Sequence, residues 1–387
     1  MFSKRILLFD TITDGHHPDY LYNLILYYSE KPGVELNIVS GEAFIQYLKQ
    51  YFSEGILPWK NIKIHTIPSK ELQEIHQKSI YLRSFLEWRL MKKYAHQLGI
   101  KKVLLMYMDY FQLGIIFGRK SGLDISGIYF RPDFIKSPTG FYAKFKRLIF
   151  QAAMSSGNIK NLFILEEKIV PALKKLSSKT RVSAICEPIQ LFPISENQTI
   201  EFSKKHQLPK EKLIFLNFGY LDERKGIEVF LEACQLLKKE HLKAIALVLI
   251  GPTKPDYQAK IEELIEKNKE LSTYPIWGYL PANEVQIAFN LADWALVLYQ
   301  NHLGSSSVLV RAALSGKPVL GTHLGQIGEL TRNKKLGLAV DASNPIEIAK
   351  NLADIIENRV LIDHKAIQQF ANENSIQAFG DAVNETI

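Results

Sequence analysis

Apolar runs of strand length alternate with amphipathic segments of helix length along nearly the whole chain. In the first half the runs are Ile6–Asp10, Glu35–Val39, Ile62–Ile67, Lys102–Met106, Ser126–Phe130 and Asn161–Ile164. In the second they are Leu213–Phe218, Ala244–Ile250, Tyr274–Trp277, Trp294–Leu298 and Lys317–Leu320. Between them, periodicity predicts helices such as Tyr20–Tyr28, Ile80–His96, Gly226–Lys238 and Gln258–Lys269. A strand covered on both faces reads as an unbroken apolar run, and strand-helix alternation supplies the crossovers that parallel strands need. The pattern therefore predicts an α/β chain of doubly wound parallel sheets with helices on both faces.

The rhythm pauses between Cys186 and Lys212, where Glu187-Pro188 and Phe192-Pro193 precede the polar run Ser195-Glu196-Asn197-Gln198. At 387 residues the chain exceeds one ordinary core. We expect a doubly wound domain over 1–190, a linker over 191–211, a second such domain over 212–365, and a polar helical segment over 366–387 packing back on the first. Ligands of such sheets lie beyond the carboxyl ends of the strands, here in a cleft between the halves.

Composition narrows the class. A hydrophobic content of 47% with 23% charged residues describes a soluble protein with a full core. No run approaches bilayer length, and Met1 to Asp10 reads as a first strand, not a leader. Cys186 and Cys234 fit neither disulfide nor metal spacing and suit the cytoplasm. The net charge of +8 favours anionic partners, but the basic residues are dispersed and no nucleic-acid module appears. Phe141 to Phe150 is the exception, mixing aromatic and basic residues. It reads either as a helix for peripheral membrane contact or as an ordinary amphipathic helix with a solvated basic face.

Candidate chemistry gathers at strand ends. Gln300 to Ser307 is a polar loop opening an apolar helix, Ser306 to Leu314; a helix start presents free N–H groups and a positive dipole end, suited to phosphate. Serines there also serve as plain N-caps. Asn217 to Ile227 joins a strand to a helix, with a tight turn at Gly219 and cations at Arg224 and Lys225 able to converge on a diphosphate. Gly278-Tyr279-Leu280 is a further turn where backbone groups can read a nucleotide base, with Trp277 a core residue. In the first half, Gly15, His16 and His17 follow the first strand. Met106 to Tyr110 and Tyr129 to Asp133 end two more, with Arg131 and Asp133 either facing a ligand or pairing with each other.

Taken in order and spacing, several of these pieces resemble the GT-B glycosyltransferases, and within them the retaining family four, over about Leu213 to Leu352. They are Gly219-Tyr220-Leu221 with Lys225-Gly226, Val248-Leu249-Ile250-Gly251, Gly278-Tyr279-Leu280-Pro281 and Ala292-Asp293. Ala312 with Gly316-Lys317-Pro318-Val319, Gly325 with Glu329, and Gly337-Leu338 through Asp341 complete the set. The first half is similar only in layout, through Gly15-His16-His17. The resemblance implies two Rossmann-like domains facing a central cleft. It also implies transfer of a sugar from a UDP- or GDP-linked donor to a hydroxyl acceptor, glycan, lipid-linked or small, in cell-envelope polysaccharide synthesis, with no metal or other cofactor. On it, Gly15, Gly219, Tyr220, Arg224, Lys225, Tyr279, Leu280, Gly304, Ser305, Ser306, Ser307, Arg311 and Glu329 are expected at the donor. His16, His17, Arg131, Asp133 and His302 are expected at the chemistry.

The chain also departs from that pattern. Tyr220 replaces an Arg. Arg311 stands at the second of two glutamates flanking the phosphate-binding helix, and Leu303, or His302 with a one-residue shift, at the first. No histidine lies between His96 and His206, where the family's catalytic histidine falls. Arg311 is a donor only and cannot accept from ribose hydroxyls. Glu329 is the candidate acceptor and His302 a candidate donor. These losses motivate an alternative, a degenerate GT-B protein that binds a nucleotide sugar, glycan or partner without turnover.

Overall fold

The computed structural model describes residues 2–387 apart from 13–16, 50, 53–56, 119, 137–139, 178 and 305. The chain divides into two units, Met1–Pro188 with Ile376–Ile387, and Ile189–Ser375. In the first, β1 (Lys4–Phe9), β2 (Val34–Gly41), β3 (Ile62–Ile67), β4 (Lys102–Leu105), β5 (Asp124–Tyr129), β6 (Ile159–Ile164) and β7 (Arg181–Ala184) form one sheet. Its order is β3-β2-β1-β4-β5-β6-β7, and every pairing is parallel. The side-chain period of two explains the apolar runs. In β1, Ile6 and Leu8 enter one core and Leu7 and Phe9 the other, so neither face faces water.

The second unit repeats the plan with β8 (Leu213–Phe218), β9 (Ile245–Gly251), β10 (Ser272–Trp277), β11 (Trp294–Val297), β12 (Val319–Thr322) and β13 (Gly337–Val340). The order is β10-β9-β8-β11-β12-β13, again parallel. Strand order reverses between β1 and β4 and between β8 and β11. A crevice opens at the carboxyl ends of the strands at such a switch point.

Two four-residue strands escape the apolar pattern, β7 and β13. Each is an edge strand of only four residues with one neighbour, too short to stand out as an apolar run, unlike the six-residue edge strands β3 and β10. The polar stretch expected as linker carries a helix, Glu196–Lys205. Its cap is a capping box: Ser195 Oγ accepts from the Gln198 N–H at 3.3 Å and Gln198 Oε1 accepts from the Ser195 N–H at 2.9 Å. Phe202 anchors it in the second unit's core, and its polar residues form the solvated face. The tail expected as one segment is two helices. His364–Glu373 buries Ile367 and Phe370 in the second unit. Ile376–Asn384 buries Phe379 and Val383 in the first, where Tyr27 donates to Asp381 at 2.6 Å. No helix among the described residues is long and apolar enough to cross a membrane.

Candidate functional site

At the β1/β4 switch point an open cavity of about 510 Å³ is lined by Asp10, His17, Tyr20, Tyr107, Tyr110, Phe130 and Arg131, among others. Asp10 follows β1 and is buried; Oδ1 accepts from the Ile12 N–H at 3.0 Å, and Oδ2 lies 2.9 Å from His17 Nδ1. Burial pushes the Asp10 carboxyl above the usual carboxylate range, against the pull of His17. The His17 ring also packs on Tyr107, centroids 4.7 Å apart, and Tyr107 stacks on Phe130 at 4.9 Å. Thus three strand ends hold one imidazole in place. Gly15 and His16 lie outside the described residues.

Arg131 and Asp133 do not pair. Arg131 is exposed, its guanidinium 5.9 Å from the Tyr107 centroid, and lines the cavity. Asp133 opens the helix Asp133–Lys136, with its carboxylate 3.8 Å from Lys146 Nζ. The corner between β5 and that helix sends the two side chains apart. Asp109 organises the corner instead: its carboxylate accepts from the N–H groups of Phe130 at 3.0 Å and Arg131 at 2.8 Å. Burial raises its pKa to about 6 despite those two donors.

This shift predicts a pH dependence. A carboxyl whose folded pKa lies above its unfolded value contributes stability that is whole below the unfolded pKa and lost as pH rises through about 6. Asp109 keeps part of its surface in solvent, so the effect is discounted to roughly 1–2 kcal/mol between about pH 4 and 7. Urea unfolding across that range should show a steeper decline for the wild type than for Asp109→Asn. Parallel curves, offset only by the amide's lost acceptor, would contradict the assignment.

In the second unit the crevice at the β8/β11 switch point is spanned by Lys225, only 3% exposed. Its Nζ donates to the Phe218 carbonyl at the end of β8 at 2.6 Å and to the Tyr299 hydroxyl beyond β11, also at 2.6 Å. Burial draws its pKa below the ordinary lysine value. The ammonium sits directly beneath the turn glycine: a Cβ on Gly219, whose φ is +115°, would stand 2.8 Å from Nζ. Next to it, a Cβ on Gly251 (φ +146°) would stand 1.7 Å from the Gly219 carbonyl oxygen. The two strand ends approach this closely only as glycines.

Tyr299 is the hub, and sequence reasoning gave it no role. Besides Lys225, its oxygen accepts from Ser306 Oγ at 3.0 Å. Ser306 is the N-cap of the helix Ser307–Leu314 and accepts from the Val308 N–H at 3.3 Å. Around the Tyr299 ring stand Lys225 Nζ at 4.4 Å, the Arg224 guanidinium at 5.0 Å and, edge-on, the His302 ring at 5.4 Å. Arg224 is thus the more accessible of the two loop cations, its Nε 3.8 Å from Asp222. The signal available in the sequence was an aromatic at the carboxyl end of a buried strand, directly before a polar loop.

Other expected donor residues fall around this hub to differing degrees. A Cβ on Gly304 would stand 3.2 Å from His302 Nε2, so the loop folds tightly on itself. Ser307 is the first residue of its helix, and Ser305 lies outside the described residues. Arg311 places its guanidinium 6.0 Å from the Phe218 centroid, on the β8 side. The loop is tied to the next helix by the Gln326 N–H, which donates to the Leu303 carbonyl at 3.0 Å; Glu329 stands on that helix, Gly325–Asn333. Tyr220 is exposed, Tyr279 is 88% exposed beyond β10, and Leu280 packs against the core. Trp277 packs at the core edge, its Nε1 donating to Glu262 at 3.1 Å. Among the described residues no three His, Cys, Asp or Glu side chains gather as a metal site.

Two Rossmann-like parallel-sheet units, the second with a cationic glycine turn facing a serine-capped helix start, define the GT-B class. Residues 198–374, within the second unit, match the family model of the glycosyl transferases group 1. Among curated proteins the chain is 27% identical over 191 residues to the colanic acid biosynthesis glycosyltransferase WcaL of Salmonella typhimurium, covering 46% of this chain and 45% of the relative. With WcaL of Escherichia coli it shares 28% over 153 residues, or 38% and 36%. The chain thus spans less than half the length of these relatives. Among solved structures it resembles Anabaena HepE in complex with UDP, with a TM-score of 0.69 and 14% identity over 99% of both chains. It also resembles a glycosyltransferase of Rickettsia africae, TM-score 0.70 and 14% identity over 99% and 98%.

Proposed function

We propose that this protein transfers a sugar, with retention, from a UDP- or GDP-linked donor held by its second unit to a hydroxyl acceptor held by its first. The observation that carries this is the Lys225–Tyr299–Ser306 constellation at the switch point of the family-matched unit. As the glycosidic bond breaks, negative charge grows on the leaving diphosphate. Arg224 and the positive dipole end of the helix Ser307–Leu314 face that charge, with Lys225 holding the turn beneath it. With Nδ1 of His17 engaged by Asp10, Nε2 is the nitrogen left to meet an acceptor hydroxyl. UDP in the HepE complex supports a uridine donor, and the names of the WcaL relatives support cell-envelope polysaccharide synthesis. The protein works in the cytoplasm, needs no metal, and meets the inner face of the membrane through the basic helix Phe141–Ser155.

The test is a panel of UDP and GDP sugars with glycan and lipid-linked acceptors, read as nucleoside diphosphate release. Acceptor-dependent release from one donor is expected. Tight nucleotide binding with no release from any donor would instead make this a binding protein without turnover.

A further inference from the structure

The cavity beside His17 does not end at Arg131. A second hollow, of about 270 Å³, shares Tyr107, Tyr110 and Arg131 with it. This hollow continues between the start of the helix Ile80–Gln97 and the helix Phe141–Ser155, walled by Ile80, Tyr81, Tyr142, Phe145 and Ile149. The helix Phe141–Ser155 has no acidic residue and already buries Phe150, Ala153 and Met154 on its core side. Yet it turns Phe141, Tyr142, Phe145 and Leu148 to solvent, Phe141 being 87% exposed. Facing it, Ile80, Tyr81 and Leu82 are exposed as well. An apolar trench of this extent marks a binding surface, because leaving it in water opposes the hydrophobic effect.

The charges define the occupant. Arg131 stands where the two hollows meet, and Lys146 lines the second, its Nζ 4.7 Å from the Tyr142 centroid. The acids nearby are Asp10, paired with His17, Glu187, which lines the first cavity, Asp109, whose carboxylate is occupied by the N–H groups of Phe130 and Arg131, and Asp133, 3.8 Å from Lys146 and mostly in solvent. The order along the surface is therefore a cavity that presents an imidazole and a buried carboxyl among aromatic rings, a cationic neck, then an apolar trench. That sequence complements an amphiphile with a hydroxylated head, an anionic phosphate and a hydrocarbon tail.

We infer that the acceptor is a lipid phosphate whose tail lies in the hollow between the helices Ile80–Gln97 and Phe141–Ser155, with its phosphate between Arg131 and Lys146. This rests on the transferase reading and narrows its acceptor to one chemical class.

Dodecyl phosphate, kept below its micelle concentration, is the probe. Its binding to the full chain is measured by calorimetry beside inorganic phosphate, dodecanol and phosphatidylglycerol vesicles, and UDP binding is read on the same preparations. Dodecyl phosphate should bind at least about tenfold more tightly than inorganic phosphate or dodecanol. Phe145→Ser and the pair Arg131→Ala with Lys146→Ala should each weaken it about five- to tenfold, without altering the circular dichroism of these solvent-facing positions. Equal affinity for dodecyl phosphate and inorganic phosphate, or variants that bind like the wild type, would overturn the inference while UDP binding left the donor site intact. Binding to vesicles alone would also overturn it and make the trench a bilayer-docking face. Dodecyl phosphate binding in a protein that ignores every nucleotide would uphold the amphiphile site and remove the transferase reading.

Discussion

Lys225→Ala should lose nucleotide binding and a substantial part of the second unit's stability together. The ammonium closes the switch point by donating to the Phe218 carbonyl and the Tyr299 hydroxyl, each at 2.6 Å. Truncation leaves a buried carbonyl and hydroxyl without their charged partner and opens a void under Gly219, a loss of roughly 2–4 kcal/mol. The void matters for function because Gly219 has no side chain to hold its turn; Nζ is what lies beneath it. Lys225→Met separates the two effects. It refills the volume without the charge, so urea stability should recover in part while UDP affinity stays low. Tyr299→Phe supplies the complementary test. It keeps the ring against Arg224 and His302 but removes the oxygen that joins Lys225 to Ser306. We expect UDP binding weakened about tenfold, with a smaller loss of stability of about 1 kcal/mol. Wild-type UDP affinity in both Lys225 variants would separate this constellation from the donor site.

The layered fold was legible because burial on two faces writes itself as apolar runs. Ile6 to Phe9 feeds alternate cores, and β8 does the same through Phe215 and Leu216. The edge strands β7 and β13 were not legible, being only four residues long with one neighbour each, whereas the six-residue edge strands β3 and β10 were. The site was read one link short. Residue types at strand ends announced a cationic turn and a serine-started helix, but not which cation the fold buries. Lys225 is enclosed and Arg224 is left accessible, an outcome decided by Tyr299, which stands 74 residues further along. For Arg131 and Asp133 the sequence left two readings open, facing a ligand or pairing with each other. Two residues apart they suggested a pair, but a strand-helix corner divides them, and Asp109, 22 residues from Arg131, takes the backbone instead. Contacts that cross between strands carry no local signature.

The other large effect belongs to the first unit. His17→Ala should lower transfer by about a hundredfold or more if its imidazole handles the acceptor proton, the usual range for a positioned acid or base. Asp10→Asn distinguishes that role from packing. Asp10 is buried and its carboxyl is held above the ordinary range, so at neutral pH its ionised form opposes folding. An amide of the same shape removes this cost, keeps the bond from the Ile12 N–H, and presents Nδ1 of His17 with a neutral partner. Stability at neutral pH should therefore hold or rise, while turnover falls with UDP affinity unchanged. A purely structural carboxylate gives the opposite signature, lower stability with turnover per folded molecule preserved. The two measurements on this one variant decide whether the Asp10–His17 pair is built for chemistry or for the fold, because burial has placed its electrostatic cost and its catalytic use on the same atom.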